Sequence, residues 1–268
     1  MSAPVDLYNS AYSNYGSDVY RHVRIETYGQ DLGQTSWVTT EESAEIPRML
    51  RLEPDSSVLE LGCGSGGYAL HLAANVDCSV TGLDVNAPGI QNANQLAAAA
   101  GLAARAHFEL CDASKTLPFR AEAFDAVFSN DVLCHIPARP NVLREMFRVL
   151  KPGGRMLFSD ALVIGGIISN EEIAVRSSIG YYVYSPPEEN ERLIDEAGFE
   201  HARVTETTAN AAAIAQRWQQ ARAKRKNELV AVEGAANFEG LQAFLSCVRR
   251  LTAERRLLRL LYLAEKGR

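Results

Sequence analysis

Cysteine is scarce, and the five present, Cys63, Cys78, Cys111, Cys134 and Cys247, never fall at C-x-x-C spacing. An odd number without that spacing argues against a disulfide framework and against a zinc site, so no metal is expected and reduced thiols in a cytoplasmic protein are. Long hydrophobic runs are missing too. The longest apolar stretch, residues 161–168, falls far short of the roughly 20 residues a spanning helix requires, and no membrane segment is expected. The first residues lack a basic segment followed by an apolar run, so no secretory signal is read there. Positive charge is in deficit: 27 Lys+Arg stand against 33 Asp+Glu, a net of −6, which disfavours a nucleic-acid partner. The deficit is uneven, because residues 211–268 hold 12 bases and 5 acids while the remainder holds 15 and 28. That basic tail reads either as a solvated helix face or as a patch for an anionic group or partner.

What is present is organised around Val58 to Gly67, a buried-strand pattern carrying one acid, Glu60, that runs into a glycine-rich turn and then a helical pattern from Tyr68. Strand, glycine turn and helix N-terminus make a site where backbone N–H groups face a polar ligand. Downstream the pattern alternates. Strands are expected at 57–61, 78–84, 106–110, 124–129 and 155–160, with helices at 67–75, 87–99 and 139–150 between them. Such alternation implies right-handed crossovers and a doubly wound, mostly parallel sheet, an α/β Rossmann-like fold. Lys151 to Gly154 reads as a helix end and turn. Further strands are expected at 199–207 and 257–264, the latter preceded by two helices, 209–226 and 237–254, for seven strands in all. The organisation reads as a helical lid and closing loop (1–54), a core (55–208) and a helical cap with the last strand (209–268). The lid is rich in tyrosine, with Tyr8, Tyr12, Tyr15, Tyr20 and Tyr28 at uneven spacing.

Gly62-x-Gly64-x-x-Gly67 followed by Asp84 also satisfies the dinucleotide fingerprint, in which an acid stands about 20 residues on to hold a ribose. Glu60 separates the two readings. A pyrophosphate would meet an unwelcome charge there, whereas a cationic amine or a sulfonium would be favoured. The later motifs agree: Cys111-Asp112-Ala113 after the third strand, Ser129-Asn130-Asp131 through His135 after the fourth, and Arg148 to Gly154 before the fifth. On these motifs the chain resembles a class I S-adenosylmethionine-dependent methyltransferase over about Val58 to Asp160.

The resemblance implies S-adenosyl-L-methionine as cofactor. Gly62, Cys63 and Gly64 would approach its methionine part, and Glu60 its amino group. Asp84 would take the ribose hydroxyls, Val85 would pack on adenine, and Asp112 with Ala113 would meet the adenine edge. Asn130 would offer backbone to the methionine end. A more distant resemblance is to phosphoethanolamine and sarcosine/dimethylglycine N-methyltransferases. There Tyr28 to Trp37, including Gln34, stands where a loop closes over the cofactor, and Asp131-x-x-x-His135 matches an active-site aspartate and histidine. The loop here departs from the serine-glycine-glycine type, so substrate identity does not carry over. Methyl transfer needs an aligned, deprotonated nucleophile and little else from the protein. His135 is the candidate base, with a cap-forming histidine as its structural alternative. Tyr12, Tyr15 or Tyr20 is the candidate partner, and the residues alone do not choose among them. Tyr181, Tyr182 and Arg176 lie on the substrate side, with core packing as the competing role.

The expected activity is methylation of a small-molecule acceptor, nitrogen ahead of oxygen. The alternatives are an RNA or protein methyltransferase docking through the basic helices, and an inactive cofactor-binding partner subunit. Self-association is left open.

Overall fold

The computed structural model describes residues 5–268. The N-terminal part supplies α1 (Tyr8–Ser13), α2 (Asp18–Tyr28) and α3 (Thr40–Met49). The core then alternates β1 (Ser57–Leu61), α4 (Gly67–Val76), β2 (Ser79–Asp84), α5 (Ala87–Ala99), β3 (Ala106–Leu110), β4 (Phe124–Asn130), α6 (Arg139–Val149) and β5 (Leu150–Ile164). After it come α7 (Asn170–Arg176), α8 (Glu189–Glu196), β6 (Glu200–Glu206), α9 (Thr208–Lys224), α10 (Lys226–Glu233), α11 (Ala235–Ala253) and β7 (Leu257–Glu265).

The seven strands form one sheet in the order β3-β2-β1-β4-β5-β7-β6, parallel except for β7, which runs antiparallel to β5 and β6. Central β1 is covered on both faces, and Val58, Leu59 and Leu61 are fully buried, which is why it reads as an apolar run rather than an alternating one. Helix α6 lies along the sheet with Val142, Leu143, Met146 and Val149 inward, the spacing of one helical face. Each face of the sheet has its own apolar cluster. A third cluster joins the N-terminal helices to α9 and α11 through Tyr12, Tyr20, Tyr28, Trp37, Trp218 and Phe244. Lid and cap therefore share one core, a contact between the two ends of the chain.

Two expectations need correction. Lys151 to Gly154 is not a turn outside the sheet: β5 begins at Leu150 and carries these residues as an irregularity, with Gly153 N–H bonded to Lys266 C=O at 2.8 Å. The residue just past β7 completes the pairing, since Lys266 N–H also bonds Gly154 C=O at 2.9 Å. The cap also holds three helices rather than two, because Arg225 interrupts the first and Gly234, at φ +82°, starts the third.

The basic tail is largely paired with acids of the body. Lys224 and Arg225 bond Glu26, Arg250 and Arg256 bond Glu172, Arg255 bonds Glu206, and Arg259 bonds Glu42 and Asp131. Much of the tail's positive charge is thus met by acids of the body. No helix among the described residues is long and apolar enough to cross a membrane.

Candidate active site

The site opens at the carboxyl ends of β1, β2 and β4, where the strand order reverses and parallel sheets present a crevice. The chain leaves β1 through Gly62 and Gly64, both at positive φ (+76° and +54°). Neither has room for a side chain: a methyl group on Gly62 would strike Val132, and one on Gly64 would lie 2.7 Å from the Tyr12 hydroxyl. Positive φ and close approach together explain glycine at these positions. The turn delivers the backbone to the N-terminus of α4.

A cavity of about 540 Å³ lies over this turn. Glu60 lines it from inside β1, is 4% exposed, and its Oε2 accepts no hydrogen bond from the described residues. Burial, with the nearby Asp84 charge, pushes its carboxyl up to about 8. Asp84, at the end of β2, accepts from Gly64 N–H and Asn86 N–H, both at 2.8 Å. Burial raises its pKa above the usual carboxylate range. Asp112 accepts from Ser114 N–H at 3.0 Å, and the hydrogen bonds from Ser114 hold it below that range. Asn130 Oδ1 is buried without a partner among the described residues and lines the same cavity. Val85, 70% exposed, forms part of the wall with Ala113. These groups fit a ligand with a cationic amino group, vicinal hydroxyls and an amino-substituted ring.

At the other end stands His135, on the short 3-10 turn Leu133–His135 that follows β4. Its Nδ1 lies 3.0 Å from Tyr181 C=O and its Nε2 2.9 Å from the Tyr8 hydroxyl. A carbonyl only accepts, so Nδ1 carries the proton and Nε2 accepts from the Tyr8 phenol. Burial first, then the neighbouring Arg176 charge, lowers its pKa to about 4, so the imidazole is neutral at pH 7. Tyr8 itself is held in the phenol form by burial.

Most of the expected residues meet in this cavity. Tyr12, Gln34, Glu60, Gly62, Cys63, Gly64, Asp84, Val85, Asp112, Ala113, Asn130, Asp131 and His135 all line it. Four do not. The Tyr20 phenol donates to Glu233 Oε2 at 2.6 Å, beside the buried Arg222–Glu233 ion pair, between lid and cap. Tyr15 packs under Arg24, whose guanidinium carbon is 4.6 Å from its ring centre. Tyr28 donates to Ser36 C=O at 2.8 Å, and Trp37 packs between Trp218 and Phe244. Apart from half-buried Tyr15, these rings lie in the shared lid–cap core, where their apolar bodies are removed from water.

Asp131 needs a different correction: it lines the cavity, but its carboxylate is committed to the protein. Ser159 Oγ (2.9 Å) and Arg259 Nε (2.8 Å) donate to Oδ1, and Trp37 N–H (2.8 Å) donates to Oδ2. Sequence reasoning passed over Tyr8 as a candidate and missed Arg259. Tyr8 and Tyr12 are four residues apart on α1, a helical spacing that puts both rings on one face and could have pointed to Tyr8.

A family model described as a methyltransferase domain matches residues 52–229. The chain belongs to the class I S-adenosylmethionine-dependent methyltransferase family. This methyltransferase is 31% identical to phosphoethanolamine N-methyltransferase of Triticum aestivum over 215 residues, covering 80% of the chain but 41% of that protein. It is 29% identical over 197 residues to 27-O-demethylrifamycin SV methyltransferase of Amycolatopsis mediterranei, covering 69% and 72% of the two chains. The chain thus spans less than half the length of its plant relatives. In fold it resembles a Haemonchus contortus phosphoethanolamine N-methyltransferase 2 complex, with a TM-score of 0.82, 22% identity and coverage of 97% and 60%.

Proposed function

We propose that this methyltransferase binds S-adenosyl-L-methionine over the glycine turn and directs its methyl group to a small-molecule acceptor at the His135 end, nitrogen ahead of oxygen. One observation carries the reading: a single cavity has buried oxygens without partners, Glu60 Oε2 and Asn130 Oδ1, at one end and a neutral, accepting imidazole at the other.

In the proposed roles, Glu60 meets the cofactor's amino group, Asp84 its ribose hydroxyls and Asp112 its adenine edge. When bound, the cofactor supplies an activated methyl group and its own leaving group. The protein has to align a lone pair about 3–3.5 Å from that methyl and exclude water. Tyr12 and Tyr8 on α1 roof the cavity for this purpose. The proton of an acceptor N–H passes to the Tyr8 oxygen as Tyr8 passes its own to His135 Nε2. The imidazolium so formed keeps its Nδ1–H on Tyr181 C=O. Nitrogen acceptors among the relatives named for phosphoethanolamine and sarcosine/dimethylglycine support nitrogen, while the rifamycin relative keeps oxygen as the next choice. The ion pairs that occupy the basic tail weaken the RNA or protein docking alternative.

Calorimetry with S-adenosylhomocysteine, followed by radiolabelled methyl transfer across amine and phenol panels, tests the reading. Tyr8→Phe should keep nucleoside affinity within a few fold and lower turnover about 100-fold, the low end of general acid–base contributions. Absence of S-adenosylhomocysteine binding would sink the cofactor assignment, and binding without turnover on any panel would leave the partner-subunit alternative.

A further inference from the structure

Arg176 ends α7 and is 1% exposed, yet no carboxylate pairs with it among the described residues and its Nη1 has no hydrogen-bond partner there. A desolvated cation without an anion is costly, and its retention calls for a reason. The guanidinium is enclosed by rings: its carbon lies 4.4 Å from the Tyr182 ring centre, 5.1 Å from Phe244 and 6.0 Å from Trp37. Faces of aromatic rings stabilise such a cation in part.

The same Tyr182 ring packs on His135, with centres 4.3 Å apart and planes at 37°. The Tyr182 ring is thus in contact with both the guanidinium and the imidazole, and the imidazole lines the cavity. The segment that carries Tyr182 is tied to the His135 turn, since Val183 N–H bonds Cys134 C=O at 2.8 Å and Tyr181 C=O takes the imidazole Nδ1–H. Tyr8 meets the ring edge-on from α1, at 5.5 Å between centres. The other charged groups acting on His135 are Asp131, just after β4, and Asp160 on β5. Both aspartates are already neutralised, by Arg259 and Arg139 respectively. Of the charges that act on His135, that of Arg176 is the one without an ion partner among the described residues.

We propose that Arg176 is a positioning residue: acting through the Tyr182 ring, its unpaired guanidinium holds His135 against the cavity wall, uncharged and with Nε2 open to Tyr8. The inference rests on the reading of His135 as the acceptor-side base. It gives a buried cation with no ion partner a task, which is to keep the resting imidazole unprotonated, so that Nε2 is free to accept from Tyr8 before transfer.

The test follows the His135 ring nitrogens by NMR titration in the full chain, with H135Q identifying the resonances. R176M should raise the His135 titration midpoint by at least about one pH unit, a tenfold change in its proton affinity. R176K, which keeps the charge, should stay within a few tenths of a unit of the parent. If R176M does not fold, R176Q carries the same expectation, because it retains donors without charge. An unmoved midpoint in the neutral variant overturns the proposal. So does inorganic phosphate binding to the parent protein but not to R176Q, which would make Arg176 an anion-binding residue instead. Calorimetric binding of S-adenosylhomocysteine, measured on the same samples, reports separately on the cofactor assignment.

Discussion

Two pairs of acids, buried or, for Asp84, partly buried, stand along the same edge of the sheet. On the β1–β2 side, Glu60 and Asp84 have no cation within salt-bridge distance among the described residues, and Glu60 keeps an oxygen without a partner. On the β4–β5 side, Asp131 and Asp160 are each closed by a buried arginine: Arg259 for the first, and Arg139 at 2.7 Å for the second. The contrast teaches that the sheet edge divides its charges by use. Acids left without cations are costly unless a cationic or hydrogen-bonding ligand arrives. Acids paired with arginine tie elements together. Arg259 joins β7 to α3 through Glu42 and, through Asp131, to the lid loop at Trp37 N–H.

The largest effect should come from breaking the paired side. Arg259→Met leaves Asp131 and Glu42 buried without their cation, and unfolding in urea should show a loss of about 3–5 kcal/mol. The lid–cap bond made by Tyr20 comes next: Tyr20→Phe should lower stability by about 1.5–3 kcal/mol, the range for a hydrogen bond to a charged group, while turnover is retained. Lost turnover in that variant would return Tyr20 to the catalytic set.

The unpaired side should respond in binding instead of folding. Asp84→Ala should weaken S-adenosylhomocysteine binding by about 1.5–3 kcal/mol, and unchanged affinity in calorimetry would remove the ribose assignment.

A protonation effect belongs to the same side and is read by changing pH. With Glu60 raised to about 8, the folded state holds a proton that the unfolded chain has lost above about 4.5. Stability should therefore fall as pH rises between those values. A ligand bearing a cationic amine favours the ionised carboxylate, so binding at pH 7 should release a proton, seen as an enthalpy that changes with buffer. Glu60→Gln should abolish that dependence. His135 works the other way: lowered to about 4, it contributes stability that is lost as pH falls from about 6.5 through 4, and His135→Gln should flatten that limb.

Much of the core and of the cofactor end was legible in the sequence, because both depend on local order. Apolar runs of strand length separated by helical periods dictate a parallel sheet. A glycine turn after β1 and acids at the ends of β2 and β3 fall at one edge once that sheet forms. The acceptor end was legible only in part. His135 was readable from its place after β4, but its partner was not, since Tyr8 lies 127 residues away and competes with four other tyrosines of the lid.

By itself the sequence determined the strand order's raw material, the glycine turn and the acids Glu60, Asp84 and Asp112, through short-range patterns that any chain of this fold must satisfy. Only the tertiary structure decided which aromatic rings face the cavity and which fill the lid–cap core, and that the Asp131 carboxylate accepts from Arg259, Ser159 and Trp37 N–H. The physical reason is that a ring or a carboxylate has the same local preferences in either role. What separates the roles is which distant group comes within hydrogen-bond reach when the two ends of the chain pack together.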